Sequence, residues 1–271
     1  MNPADWAPLW RELALDDLMS GDRGEREMVA RWRNLAHRID SGERPDADPL
    51  RDFVAGRLEP GDTVLDVGAG IGRWTVPLAA GARQVTAIEP VTEMRDVLLE
   101  RIAARRLANV SVVAAPWAEA EVEVHDSVVA VHSTYTSPDL LAFVRKMEAH
   151  ARRGCYLVLR LPAHDGVIGE LSERIRGRWH DSPNFIVGYN LLLASGYCPN
   201  VVVEPEPART WEDGSIDEAM ARAKRHLHIA DGKHDSVIRD VLTRRLARAN
   251  GAYRWPDCMR SAHAWWEKGP V

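Results

Sequence analysis

The chain has 271 residues, 45% hydrophobic and 28% charged, the balance of a globular protein with ample material for one large core. Its net charge of −5 and pI of about 6.1 offer no basic face for nucleic acid, and no apolar run approaches the ~18 residues of a membrane span. Three widely spaced cysteines, Cys155, Cys198 and Cys258, form no C-x-x-C pair, so neither a zinc site nor a disulfide framework is indicated.

The N-terminus carries Asp5, Glu12, Asp16 and Asp17 and lacks the apolar stretch of a signal peptide, so a reducing, cytoplasmic setting is expected. Residues 1–45 read as a helical cap. Trp6, Leu9, Trp10, Leu13 and Leu18 fall near helical spacing, and Met28, Val29, Trp32, Leu35, Ala36 and Ile39 form a second stripe. Ten tryptophans stand against three phenylalanines, mostly as packing residues. Exposed ones would give a homodimer its contact surface. Asp48-Pro49 reads as a helix start, with Asp as N-cap and Pro at the first position.

From Thr63 the pattern changes. VLDVGAGIGRW is an apolar run interrupted by Asp66, followed by Gly68, Gly70 and Gly72 and then an amphipathic segment. It predicts a strand, a tight turn and a helix over 71–80. Such a turn lets a ligand lie against the backbone, and the helix behind it presents unpaired N–H groups. A second apolar run ends in Glu89, 17 residues after Gly72, where an acid can accept both ribose hydroxyls.

Further candidate strands are 84–88, 110–114, 127–132, 155–161, 200–204 and 260–266, separated by helical patterns at 92–106, 138–151, 166–177 and 184–196. Short buried strands alternating with helices predict a Rossmann-like, doubly wound α/β domain over 46–271, with a seven-stranded, mostly parallel sheet. Two helical patterns, Ser215–Ile229 and His234–Ala249, predict a helical insertion at about 211–249, before the last strand. Ser215 and Glu218 form a capping box. The insertion's cations, Arg222, Lys224, Arg239, Arg244 and Arg245 among them, alternate with acids and read as a salt-bridged solvated face. Cys155 and Cys198 lie in apolar runs and are expected to be buried.

The glycine spacing G-x-G-x-G, with an acid two residues before the first glycine, departs from the dinucleotide fingerprint G-x-G-x-x-G. With AIEPVTEM after the second strand, it resembles the class I S-adenosylmethionine (SAM) dependent methyltransferases, small-molecule enzymes of the ubiquinone/menaquinone-biosynthesis type in particular. The resemblance runs from about Glu59 to Tyr197. HDSVVAVHSTYTSPDLLAFVRKM looks like the family's fourth strand and ARRGCYLVLRL its fifth.

The resemblance implies SAM as cofactor, S-adenosylhomocysteine (SAH) as product and no metal. It places Asp66 and the backbone of Gly68, Ala69, Gly70 and Gly72 on the methionine moiety, Glu89 on the ribose, and Pro90 and Met94 beside adenine. Where the family often has an adenine-reading acid, this chain has Ala114-Ala115-Pro116-Trp117. Pro116 backbone and stacking on Trp117 would replace it.

Methyl transfer from a sulfonium is an in-line displacement in which the protein mainly aligns the reactants and excludes water. A base is needed only if the acceptor must lose a proton. His132, at the tip of the fourth strand, suits both a base and a cofactor contact. Tyr135 would orient the acceptor or act as a weak base, and His164 is on the same rim. The expected function is methyl transfer to a small-molecule acceptor, with no nucleic-acid or membrane partner. HSTY lacks the Pro-Pro motif of adenine or glutamine amino-group methylation, and no Pro-Cys nucleophile or placed thiols suit cytosine or arsenite chemistry. A non-catalytic SAM- or SAH-binding protein, an NAD(P) oxidoreductase and an RNA methyltransferase are the competing readings.

Overall fold

The computed structural model describes residues 3–20, 36–37, 47–162, 166–177, 179, 182–205, 211–227, 229–256 and 260–268. Of the second N-terminal stripe, only Ala36 lies within them, buried against Ile71, Met94 and Val97. Trp32, His164 and Cys258 lie outside the described residues.

Helix α1 (Pro3–Ser20) leads to α2 (Pro49–Ala55). Asp48 caps α2, its carboxylate accepting from the Arg51 N–H at 3.1 Å, with Pro49 in the first turn. The main sheet is built from β1 (Thr63–Val67), β2 (Gln84–Ile88), β3 (Val110–Val113), β4 (His125–Val131), β5 (Ala151–Arg160), β6 (Asn200–Val203) and β10 (Ser261–Glu267). Its seven strands are ordered β3-β2-β1-β4-β5-β10-β6. All pair in parallel except β10, which is antiparallel to both β5 and β6. The strand order reverses between β1 and β4, where sheets of this kind bind ligands. Because β10 runs backwards, its first residue, Ser261, reaches the rim where the parallel strands end.

Alternation along the strands builds two cores. Leu65, Val67, Val128, Ala130, Leu157 and Leu159 face α1, α5 (Leu140–Ala149) and α7 (Phe185–Ala194). Val64, Val129, Tyr156 and Val158 face α2 and α3 (Thr75–Leu78). Trp10 is fully buried in the first core as a packing residue, its indole N–H donating to the Ser137 carbonyl at 2.9 Å. Trp179 is exposed.

Three expectations need correction. The helix predicted over 71–80 is only the single turn α3, since positive φ angles at Gly70 and Gly72 hold the preceding residues in a turn. Cys155 is buried as expected, but Cys198, just beyond the Gly196 turn, is exposed. The insertion is not purely helical. Besides α8 (Ile216–His226) and α9 (Asp235–Arg245), it holds a small antiparallel sheet of β7 (Glu212–Asp213), β8 (Ala247–Ala249) and β9 (Ala252–Arg254), ordered β7-β9-β8. Asn250 and Gly251 take positive φ between β8 and β9, closing a hairpin.

With α6 (Val167–Arg176), the insertion forms its own core of Leu171, Met220, Ile238, Leu242 and Trp255. Five of its cations are paired: Arg222 with Asp213, Lys224 with Asp235, Arg239 with Asp217, and Arg244 and Arg245 with Glu170. No described helix is long and apolar enough to cross a membrane.

Candidate active site

A cavity of about 200 Å³ opens at the switch point, lined from β1 and its loop by Asp66, Gly68, Ala69, Gly70 and Ile71. Arg73, Trp74, Asp48 and Met94, the last on α4 (Thr92–Ala104), extend this side. The opposite wall comes from Val131 and His132 after β4, Val158 on β5, Glu204 after β6 and Ser261 on β10.

The glycine loop explains its own composition. Gly68, Gly70 and Gly72 all have positive φ. A Cβ on Gly68 would stand 2.3 Å from Ser133 Cβ, and one on Gly72 would stand 2.5 Å from Leu98 Cδ1. A Cβ on Gly70 would meet nothing within 4 Å. The first and third glycines therefore serve close packing, while Gly70 faces open space that a ligand can fill. Beneath the loop, Asp66 is buried, with the Thr75 hydroxyl donating to its Oδ2 at 2.6 Å. Burial pushes the Asp66 carboxyl up to about 6, with Thr75 opposing the rise and nearby Glu89 adding to it.

Glu89 does not line the cavity but ties the loop to the second strand. Gly70 N–H donates to Oε2 at 2.7 Å and Val91 N–H to Oε1 at 2.8 Å. Burial raises its pKa, against those two N–H bonds. Each carboxylate oxygen accepts more than one bond, so both retain capacity for a ligand hydroxyl. Ser133 Oγ, beside Gly68, is buried with no partner.

Across the cavity, His132 sits at φ 54°. Its Nδ1 lies 2.6 Å from the Tyr135 hydroxyl, which accepts the Arg160 N–H at 2.8 Å. Its Nε2 lies 3.2 Å from Ser261 Oγ. The imidazole is thus held edge-on between a phenol behind it and a hydroxyl on the cavity wall.

The cavity gathers Asp66, Gly68, Ala69, Gly70, Met94 and His132 from the sequence-predicted set. Gly72 packs on Leu98, and Tyr135 stands behind His132. Pro90 and Pro116 are exposed away from the cavity lining. Trp117 does not line it. Its indole lies in the main core, donating to the Phe143 carbonyl at 3.2 Å beneath Lys146 Nζ, 4.6 Å from the ring centre. Lys146 also donates to the Trp117, Ala118 and Ala120 carbonyls at 2.7, 3.1 and 2.8 Å, fixing the indole against α5.

Sequence reading missed Arg73, Trp74, Ser133, Glu204 and Ser261, and took Asp48 only as a cap. Glu204 was visible as an acid at a strand end. Ser261 had no signal, because the direction of β10 is a property of the sheet.

A glycine loop at the switch point, a buried acid on β1 and another at the end of β2 define a nucleoside-cofactor-binding α/β protein. Comparison with known proteins narrows this. A family described as a methyltransferase domain matches residues 39–250. The chain belongs to this family, that of the SAM-dependent methyltransferases.

Among solved structures, the YcgJ protein of Bacillus subtilis covers 81% of this chain and 99% of its own, with a TM-score of 0.52 and 14% identity. The magnesium protoporphyrin IX methyltransferase ChlM of Synechocystis PCC 6803, with SAH bound, covers 92% and 99%, with a TM-score of 0.52 and 15% identity. At such identities the likeness is one of fold. A probable ribosomal RNA small subunit methyltransferase A of Methanosphaera stadtmanae is 36% identical over 56 residues, and its counterpart in Methanosarcina acetivorans is 37% identical over 79. The chain spans only 21% and 29% of those relatives' lengths.

Proposed function

We propose that the protein transfers the methyl group of SAM to a small-molecule acceptor. The observation that carries this reading is a compact cavity with the glycine loop and Asp66 on one side and His132 on the other. The open space at Gly70 and the orphaned Ser133 hydroxyl fit a ligand laid against the loop. Asp66 and the backbone from Gly68 to Gly70 would hold the methionine part, the spare lone pairs of Glu89 the ribose hydroxyls, and Met94 the adenine. Bound SAM supplies an already activated methyl group. The chain's own task is then to align the acceptor, exclude water and, where needed, remove a proton. In the tautomer carrying hydrogen on Nδ1, donated to Tyr135, His132 turns its Nε2 lone pair toward Ser261 and the cavity.

The acidic net charge and the paired cations of the insertion favour a small acceptor over RNA. Calorimetric titration with SAM, SAH and NADH tests the cofactor. Micromolar binding of the first two and none of NADH is expected, and absence of SAM binding would overturn the reading. RNA binding that weakens steeply with salt would instead favour a nucleic-acid acceptor.

A further inference from the structure

The cavity wall opposite the glycine loop is chemically distinct from the loop side. It is built from residues after β4, on β10 and after β6, across the switch point from Asp66 and Gly68. Three polar side chains meet there: His132, Ser261 and Glu204. They are linked. Ser261 N–H donates to Glu204 Oε2 at 2.9 Å, and Ser261 Oγ contacts His132 Nε2 at 3.2 Å. Glu204 Oε1 has no protein partner among the described residues.

No arginine among the described residues bonds the Glu204 carboxylate, and Arg160, paired with Ser261 across the strands, donates to the Ser182 carbonyl at 2.8 Å. Arg260 donates to the main-chain carbonyl of Glu204, from Nε at 3.0 Å, and to that of Pro205 at 3.4 Å. Arg73, the one cation among the described lining residues, faces Asp48 at 3.7 Å. The wall therefore presents a half-buried carboxylate with spare acceptor capacity, next to a hydroxyl and an imidazole. A carboxylate in a partly desolvated cavity favours a donor that carries positive charge.

Resting on the reading of the cavity as a methyl-transfer site, we propose that this wall is the acceptor subsite and that the acceptor is an amine, bound as its ammonium by Glu204. The imidazole of His132 takes the ammonium proton, relayed by the Ser261 hydroxyl, which donates its own hydrogen to Nε2 as it receives the acceptor's. The freed nitrogen lone pair forms the N–C bond while the C–S bond breaks and its electron pair passes to sulfur. The products are a methylated ammonium, a neutral thioether and an imidazolium that returns its proton to water. Glu204 is the specificity residue and Ser261 the proton relay.

The test uses SAH and sinefungin, a SAM analogue in which an amine-bearing carbon replaces the methylated sulfur, so that an ammonium projects from the place where the methyl would sit. Calorimetry on the wild type is expected to give sinefungin about tenfold tighter than SAH, the scale of one added charge-assisted hydrogen bond. Glu204→Gln keeps an acceptor for the Ser261 N–H and is expected to erase that preference while SAH affinity stays within about twofold, which also reports an intact fold. SAH binding without any sinefungin preference, or a preference that survives in Glu204→Gln, overturns the amine assignment and leaves the cofactor reading standing. Failure of SAH to bind overturns both.

Discussion

Asp66→Asn should make this protein more stable while weakening its hold on cofactor. The carboxyl is buried and its pKa is raised from 3.8 to about 6. At ~1.4 kcal/mol per pH unit, the ionised form costs the fold about 3 kcal/mol above pH 6. A raised pKa contributes stability below pH 4 that is lost as pH rises through 6. The amide of the variant never ionises, and its oxygen can still accept from the Thr75 hydroxyl, which lies 2.6 Å from the carboxylate in the wild type. At pH 7.5 the variant should therefore melt several degrees higher, roughly 2 °C per kcal/mol for a chain of this size. The gap should shrink to about half at pH 5. SAM titrated into the same variant should bind at least about tenfold more weakly, since the cationic methionine end loses a charged partner. Differential scanning fluorimetry across pH settles the matter. A variant that melts lower than wild type at pH 7.5, or whose advantage does not change with pH, would refute the reasoning.

Three further outcomes are expected. Gly70→Val should abolish SAH binding in a calorimeter while the protein still unfolds cooperatively, since its Cβ points into open space and the cost is a φ of 56°, ~1–2 kcal/mol; Gly68→Val, driven into Ser133, should instead lower the melting temperature. His263→Phe should stabilise, because both ring nitrogens of this fully buried histidine lack partners. Burial pushes its pKa down to about 3, with Arg57 adding to the fall, so wild-type stability is lost as pH drops below 6.5 and the variant's advantage should grow on acidification; a gain of ~1–3 kcal/mol at neutral pH in urea unfolding is the expected scale. Asp213→Ala should cost ~3–5 kcal/mol by stranding Arg222 and the Trp255 indole, which donate to it at 2.6 and 2.7 Å, and limited proteolysis should then cut first within the insertion.

The sequence by itself determined the alternating framework and the glycine-loop side of the cavity. Those features are local: apolar runs of period two or unbroken burial set the strands, Asp48-Pro49 and Ser215 set helix starts, and Gly68, Gly70 and Gly72 are needed because three alternate backbone positions take positive φ. Glu89 was legible for the same reason, as the residue at the end of a strand that had to lie beside β1.

The cavity wall opposite the glycine loop was decided only by the tertiary structure. Glu204 and Ser261 are 57 residues apart, and Ser261 is 129 residues from His132. They meet because β10 inserts antiparallel between β5 and β6, and no pattern within the strand states its direction. The same holds for Trp117, whose sequence position beside the third strand suits a stacking role, yet whose indole the structure places in the core under Lys146. Its direction was settled by the energy of burying a large ring against α5, a term that exists only once the helix is there to receive it.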